Sequence, residues 1–132
     1  MHLLLPSLDA LLPGRLRARV WKSADARAFA ATAHDGYEFA WVHRAGLHYT
    51  VDGTCVALQP GQVMLVPPGA SHASRFDAGM HASSVHVDTT LVAGLATALG
   101  TCPPQRARVL HNAAHIAQLG DLLVRETATA GR

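Results

Sequence analysis

Between Gly61 and His72 the chain reads Gly61-Gln-Val-Met-Leu-Val-Pro67-Pro-Gly69-Ala-Ser-His72, and that order leaves the backbone few options. Residues 62–66 form a run with β-branched Val63 and Val66, bounded by Pro60-Gly61 and by Pro67-Pro68-Gly69, which is how a buried strand is punctuated. Pro68 supplies a fixed φ and Gly69 a positive one, so the chain reverses and carries His72 back along the next strand. A histidine is therefore expected near the mouth of a small barrel.

Upstream, Thr32-Ala-His34-Asp-Gly-Tyr37-Glu38 precedes a second β-rich stretch from Leu47 to Leu58. In an extended chain alternate residues share a face, which predicts that Thr32, His34 and Glu38 point the same way unless a bulge intervenes. Tyr37, Trp41 and Tyr49 carry odd numbers, opposite Glu38, and are expected to pack in the core rather than to meet a ligand. Asp52-Gly53 between Tyr49–Val51 and Thr54–Val56 predicts a two-residue hairpin. Leu16–Lys22 alternates polar and apolar residues and is expected to pair at a sheet edge, with Trp21 covering the barrel or an interface.

After Asp88 the apolar period changes. Leu91, Leu95 and Leu99 recur every four residues up to Gly100, and Asp88 is placed to cap that helix. Beyond Pro103-Pro104, Ile116, Leu119, Leu122 and Leu123 define one face of a second helix, with Gln118, Asp121 and Arg125 among its polar positions. Both apolar stripes must be covered by the barrel wall, by each other or by a second subunit.

The two polar constellations resemble the two cupin motifs. Gly61, Pro67, Gly69 and His72 match the second at every position. In the first, His34 and Glu38 hold their places, Thr32 stands where a first histidine is expected, and Phe76 stands where many cupins carry an asparagine. More narrowly, His34-Asp-Gly-Tyr37-Glu38, Val51-Asp-Gly53, Leu58-Gln-Pro-Gly61 and Leu65-Val-Pro-Pro-Gly69-Ala-Ser-His72 resemble the sensor domain of AraC-type transcription regulators. Val85–Leu91 resembles that family's strand-to-helix exit and Ala114–Glu126 its interface helices, so the likeness covers about residues 15–128.

The fold expected is mainly β: a small cupin (jelly-roll-like) β-barrel with two C-terminal amphipathic helices. Residues 1–100 would form the barrel with its N-terminal arm and first helix, and 101–132 a linker and C-terminal interface helix, all one structural domain. A chain of 132 residues, 49% hydrophobic, suffices for one core. A net charge of +2, with Arg15, Arg27, Arg44, Arg75, Arg106 and Arg125 scattered, does not form a nucleic-acid footprint. Cys55 and Cys102 lie far apart in no metal-type pair and are expected to be free thiols in a reducing, cytoplasmic setting. Met1–Pro6 is too short and lacks the leading cation of a signal peptide, and no stretch reaches membrane-spanning length.

The resemblance implies an effector-sensing and dimerisation domain that binds a small molecule inside the barrel and forms a homodimer through its helices. DNA would be met only through a helix-turn-helix part, expected to be absent from this chain because Arg132 lies about where that part would begin. His34, Glu38, His48, His72, His86 and Thr32 are the candidate ligand-binding residues. Of these, His34, Glu38 and His72 also form a donor set suited to a divalent transition metal such as Zn, Fe, Mn or Ni. The alternative is a free-standing metal-dependent cupin enzyme of dioxygenase or isomerase type, with His48 or His86 moving a proton. Equally, His34 and Glu38 are read as partners of each other or of a polar effector. Arg75 would meet an anion if it turned inward, and His43, His81, His111 and His115 are read as surface or interface residues.

Overall fold

The computed structural model of the protein describes residues 16–130; the arm before Leu16, including the Met1–Pro6 stretch weighed as a signal peptide, lies outside them. Among the described residues nine strands run in the order β1 (Leu16–Ser23), β2 (Arg27–Thr32), β3 (Tyr37–Arg44), β4 (Leu47–Val51), β5 (Thr54–Ala57), β6 (Val63–Val66), β7 (His72–Phe76), β8 (Met80–Val87) and β9 (Arg108–Leu110). Helix α1 (Thr89–Ala98) follows β8, and α2 (Ala114–Ala130) follows β9. The pairings are antiparallel and give two sheets, ordered β1-β8-β3-β6-β9 and β2-β7-β4-β5. This is the mainly β, jelly-roll-like architecture with two C-terminal helices that the sequence predicts.

The turns form where their chemistry dictates. Asp52 and Gly53 both hold positive φ (52° and 76°), and Val51 pairs with Thr54 across them. At Gly69 (φ 76°) the chain turns with Ala70 N–H donating to Pro67 O at 3.3 Å. Asp88 caps α1 by accepting from the Thr90 N–H, and Gly100 (φ 68°) follows its C-terminal end.

The five-stranded sheet is covered on both faces, which is why Val63–Val66 is buried at every position instead of alternating. Its inner face meets the other sheet around Ala40, Val42, Leu47, Leu58, Met64 and Met80. Its outer face packs Leu16, Trp41, Val63 and Val85 against Ile116, Leu123 and Val124 of α2. On β3 the parity argument therefore holds for Tyr37 and Trp41. Tyr37 donates its hydroxyl to Pro104 O at 3.0 Å, and Trp41 donates its indole N–H to Asp121 Oδ1 at 2.9 Å.

The structure departs from the sequence reading in two places and narrows one that the sequence leaves open. Residues 101–132 are more than a linker and a helix, because Arg108–Leu110 forms β9 and pairs with β6; three residues are too few to show a period of two. The leucine stripe on α1 is not absorbed by the barrel: Leu95 and Leu99 are 56% and 79% exposed, and Ala96 is the buried residue. Thr32, His34 and Glu38 do not share one strand face, because β2 ends at Thr32, its pairing with β7 shifts register after Phe29, and residues 33–36 form a loop before β3. Cys55 and Cys102 are free and exposed, as expected. Among the described residues no helix is long and apolar enough to cross a membrane.

Candidate functional site

Three strands and one loop bring the polar groups together between the sheets. Glu38 is the first inward residue of β3, His72 opens β7, and His86 lies near the end of β8 beside Glu38 in the β3–β8 register. His34 stands on the 33–36 loop, yet its position is fixed. Its backbone carbonyl accepts from Gly69 N–H at 3.0 Å, tying that loop to the turn that delivers His72. Close approach requires glycine at position 36, where a Cβ would lie 2.7 Å from the Val87 carbonyl oxygen.

Glu38 is the hub. Its Oε2 lies 3.4 Å from His34 Nε2 and 3.5 Å from His72 Nε2, and its Oε1 lies 3.8 Å from His86 Nε2. The tautomers follow from the opposite ring edges: Nδ1 of His34 donates to Gly36 O (2.8 Å) and Nδ1 of His72 to Ala70 O (2.9 Å). In the neutral rings both Nε2 lone pairs then face a carboxylate, so the cluster calls for a proton or a cation at its centre. His34, Glu38 and His72 offer ligand atoms all within 4.8 Å of one another, and backbone carbonyls on the far imidazole nitrogens are what orients histidines toward a metal. The donor set fits a divalent transition metal of the Zn, Fe, Mn or Ni type.

The charges lean the same way. Burial pushes the Glu38 carboxyl up, but the hydrogen bond with His34 and the charges of His86, His72 and His34 outweigh it and hold the group below its usual value. The Glu38 hydrogen bond raises His34 against the opposing effect of burial, helped by Gly36 O and the charges of Glu38 and Asp35. Burial lowers His86, more than Glu38 offsets, with His34, Arg19 and Arg17 adding to the depression.

In the metal-free protein the His34–Glu38 ion pair contributes stability in a bounded pH window. The Glu38 contribution is full above 4.5 and fades as pH falls through its depressed folded value; that of His34 is full below 6.5 and fades as pH rises through its elevated one. Thermal melts after chelator treatment should separate wild type from Glu38→Gln most between about pH 4.5 and 6.5, and less on either side. A gap that is constant across that range would show the pair to be energetically idle.

Placement of the remaining candidates is mixed. Thr32 lines the pocket but sits at its exposed edge. His48 does not line it: the inward residues of β4 are Leu47 and Tyr49, and His48 turns outward to Asp77 Oδ2 at 2.8 Å. Arg75 likewise faces out, 3.7 Å from Asp77. His43 bonds Ser83 Oγ at 2.9 Å and approaches Asp121 in the middle of α2 at 3.4 Å, its ring tilted against that of His81, while His111 and His115 are exposed.

Tyr49 corrects the expectation that it packs away from the site. Parity on β3 says nothing about β4, which belongs to the other sheet; its face is set by pairing with β7, where Tyr49 stands opposite Ser74 beside His72. Tyr49 hydrogen-bonds Glu38, and burial, then the Glu38 charge and that bond, push its hydroxyl well above the usual tyrosine value. It therefore stays a neutral donor. The pocket has a second, apolar end that the sequence reading did not assemble: Trp21, Phe29 and Phe76 meet with ring centroids 6.0 Å (Trp21–Phe76) and 4.8 Å (Phe29–Phe76) apart. Trp21 is fixed by donating to Ser84 Oγ at 3.0 Å. Arg19 stands at the rim, its guanidinium 5.7 Å from the Trp21 ring centroid.

Comparison with known proteins places this geometry. The family model described as AraC-like ligand binding domain matches residues 19–129. Among solved structures, apo ToxT from Vibrio cholerae superposes with a TM-score of 0.65 at 13% identity, over 83% of this chain and 46% of that one. Unsaturated fatty acid-bound ToxT gives 0.61 at 12% identity, over 89% and 48%. A cupin superfamily protein from Desulfitobacterium hafniense gives 0.53 at 17% identity, over 57% and 69%. The chain thus spans about half the length of ToxT, and at these identities the likeness concerns the fold. No curated protein matches the chain.

Proposed function

The chain belongs to the AraC-like ligand binding domain family, and from that premise we propose that it is the effector-sensing and dimerisation domain of an AraC-type transcription regulator. The observation that carries this reading is an internal pocket of about 230 Å³ with a polar and an apolar end, in a barrel whose two helices leave leucines outward. A small molecule entering between the sheets contacts β1, β7 and β8 at once, and α2 packs on the outer face of the same sheet that carries β1 and β8. Occupancy is thereby communicated to the helix that meets a partner. DNA contact belongs to a helix-turn-helix part outside this chain.

The partner in this reading is a second copy. Leu95 and Leu99 on α1, with Leu119 and Leu122 on α2, are each more than half exposed, an apolar area that association would cover. Light scattering after size exclusion at high micromolar concentration should give a dimer, and the pair Leu119→Glu with Leu122→Glu should give a monomer with little change in melting temperature. A wild-type monomer at that concentration would remove the dimer from the proposal.

A second reading, a free-standing metal-dependent cupin enzyme of dioxygenase or isomerase type, is favoured by one observation: the Nδ1 atoms of His34 and His72 are both held by backbone carbonyls, leaving two Nε2 atoms and Glu38 converging. Thr32 withholds the fourth donor of the cupin pattern. A bound metal would supply Lewis acidity there, with His86 placed to hold a proton.

A further inference from the structure

We propose that the pocket selects a single-ring aromatic molecule carrying one hydrogen-bond donor, a phenol in chemical class; this deepens the effector-binding reading above and rests on it. Three features of the cavity converge on that class: its size, the chemistry of its two ends, and its slack.

At about 230 Å³ the cavity exceeds the roughly 150 Å³ void that accepts benzene and falls below the roughly 300 Å³ at which pockets for drug-sized ligands begin. One ring with short substituents fills it, and a long acyl chain does not fit inside. The apolar end is built for a ring. Trp21, Phe29 and Phe76 present edges and faces at tilted angles of 55° and 61°, the arrangement into which a further aromatic ring packs. Phe29 is still 43% exposed at the mouth although it packs on Phe76, and a ring seated there would cover it.

The centre of the polar end is rich in acceptors. The Nδ1 edges of His34 and His72 are taken up by Gly36 O and Ala70 O. What converges there is the Glu38 carboxylate and the Nε2 atoms of His34 and His72, with the hydroxyls of Thr32, Ser74 and Ser84 elsewhere on the wall. An anionic head is repelled there. A hydroxyl is accepted, because it donates to the carboxylate. The distances from Glu38 to the three imidazoles, 3.4, 3.5 and 3.8 Å, exceed the roughly 2.7–2.9 Å of a closed charge-assisted bond, so the carboxylate keeps acceptor capacity for a donor arriving from the cavity. A sugar fails at the other end, where its hydroxyls would be stranded against three aromatic rings.

Calorimetric titration of the chelator-treated chain with p-cresol, toluene, 4-methylbenzoate, arabinose and oleate tests the class. p-Cresol is expected to bind one per chain, about tenfold tighter than toluene, a preference abolished in Glu38→Gln. Phe29→Ala, at an exposed edge and outside the buried core, is expected to weaken p-cresol and toluene alike, so a Glu38 variant that fails to fold leaves the test intact. Equal binding of toluene and p-cresol overturns the donor requirement, and tighter binding of 4-methylbenzoate overturns the acceptor-rich end. Binding of arabinose or oleate without p-cresol overturns the class while leaving the effector reading standing. Binding of none of the five removes the class and the pocket-based effector reading together.

Discussion

Gly120→Ala is expected to destabilise the protein by about 2–3 kcal/mol, on the order of 10 °C in melting temperature for a chain of this size. An added Cβ would stand 2.3 Å from Cη2 of Trp41, with two more ring atoms inside 2.8 Å. The indole has nowhere to go: it is 2% exposed, packed with Leu16, Val63 and Val85, and its N–H is bound to Asp121 on the same helix. Helix propensity works the other way, since alanine is better than glycine in a helix by roughly 1 kcal/mol, so the sign of the result decides which effect wins. Gly94 in α1 is the internal control, because a Cβ there meets nothing within 4 Å. Gly94→Ala should therefore be neutral or mildly stabilising, and Trp41→Phe should recover part of the Gly120→Ala loss. If both glycine variants melt alike, Gly120 does not set the seat of α2, and the link between that helix and the barrel loses its best physical support.

The sequence made local structure legible and left long-range pairing hidden. Asp52-Gly53 and Pro68-Gly69 announce their turns because positive φ is a local demand, and Asp88 announces α1 because a cap is satisfied two residues away. Parity along one strand placed Tyr37 and Trp41 outside the barrel. The same argument failed for Tyr49, since the face of β4 is decided by its register with β7, more than twenty positions on. Phe29, Phe76 and Trp21 come from three strands in two sheets, and no window of sequence contains them together. His34 was legible as a motif position, but not the reason it stays in place: a hydrogen bond from Gly69 that exists only once the two motifs are folded against each other.

That dependence makes Gly36→Ala the sharpest test of the proposed metal site. The new methyl would press on the Val87 carbonyl oxygen, a backbone atom paired in β8 that cannot swing aside, so the 33–36 loop must yield. Two restraints on His34 shift with it: the Gly36 carbonyl that fixes its Nδ1, and its own carbonyl on Gly69 N–H. The loss of such outer support costs about 10–100-fold in metal affinity while every ligand atom is still present. Zinc titrated into chelator-stripped protein should bind wild type at one equivalent and Gly36→Ala about 10–100-fold more weakly, with stability reduced by only about 1–2 kcal/mol. His48→Ala should bind zinc as wild type does, because that imidazole faces Asp77 away from the cluster. Wild type that takes up less than about a tenth of an equivalent under these conditions means that the lone pairs of His34 and His72 are reconciled by a proton alone, and that what Glu38 awaits is the donor of an organic ligand rather than a metal ion.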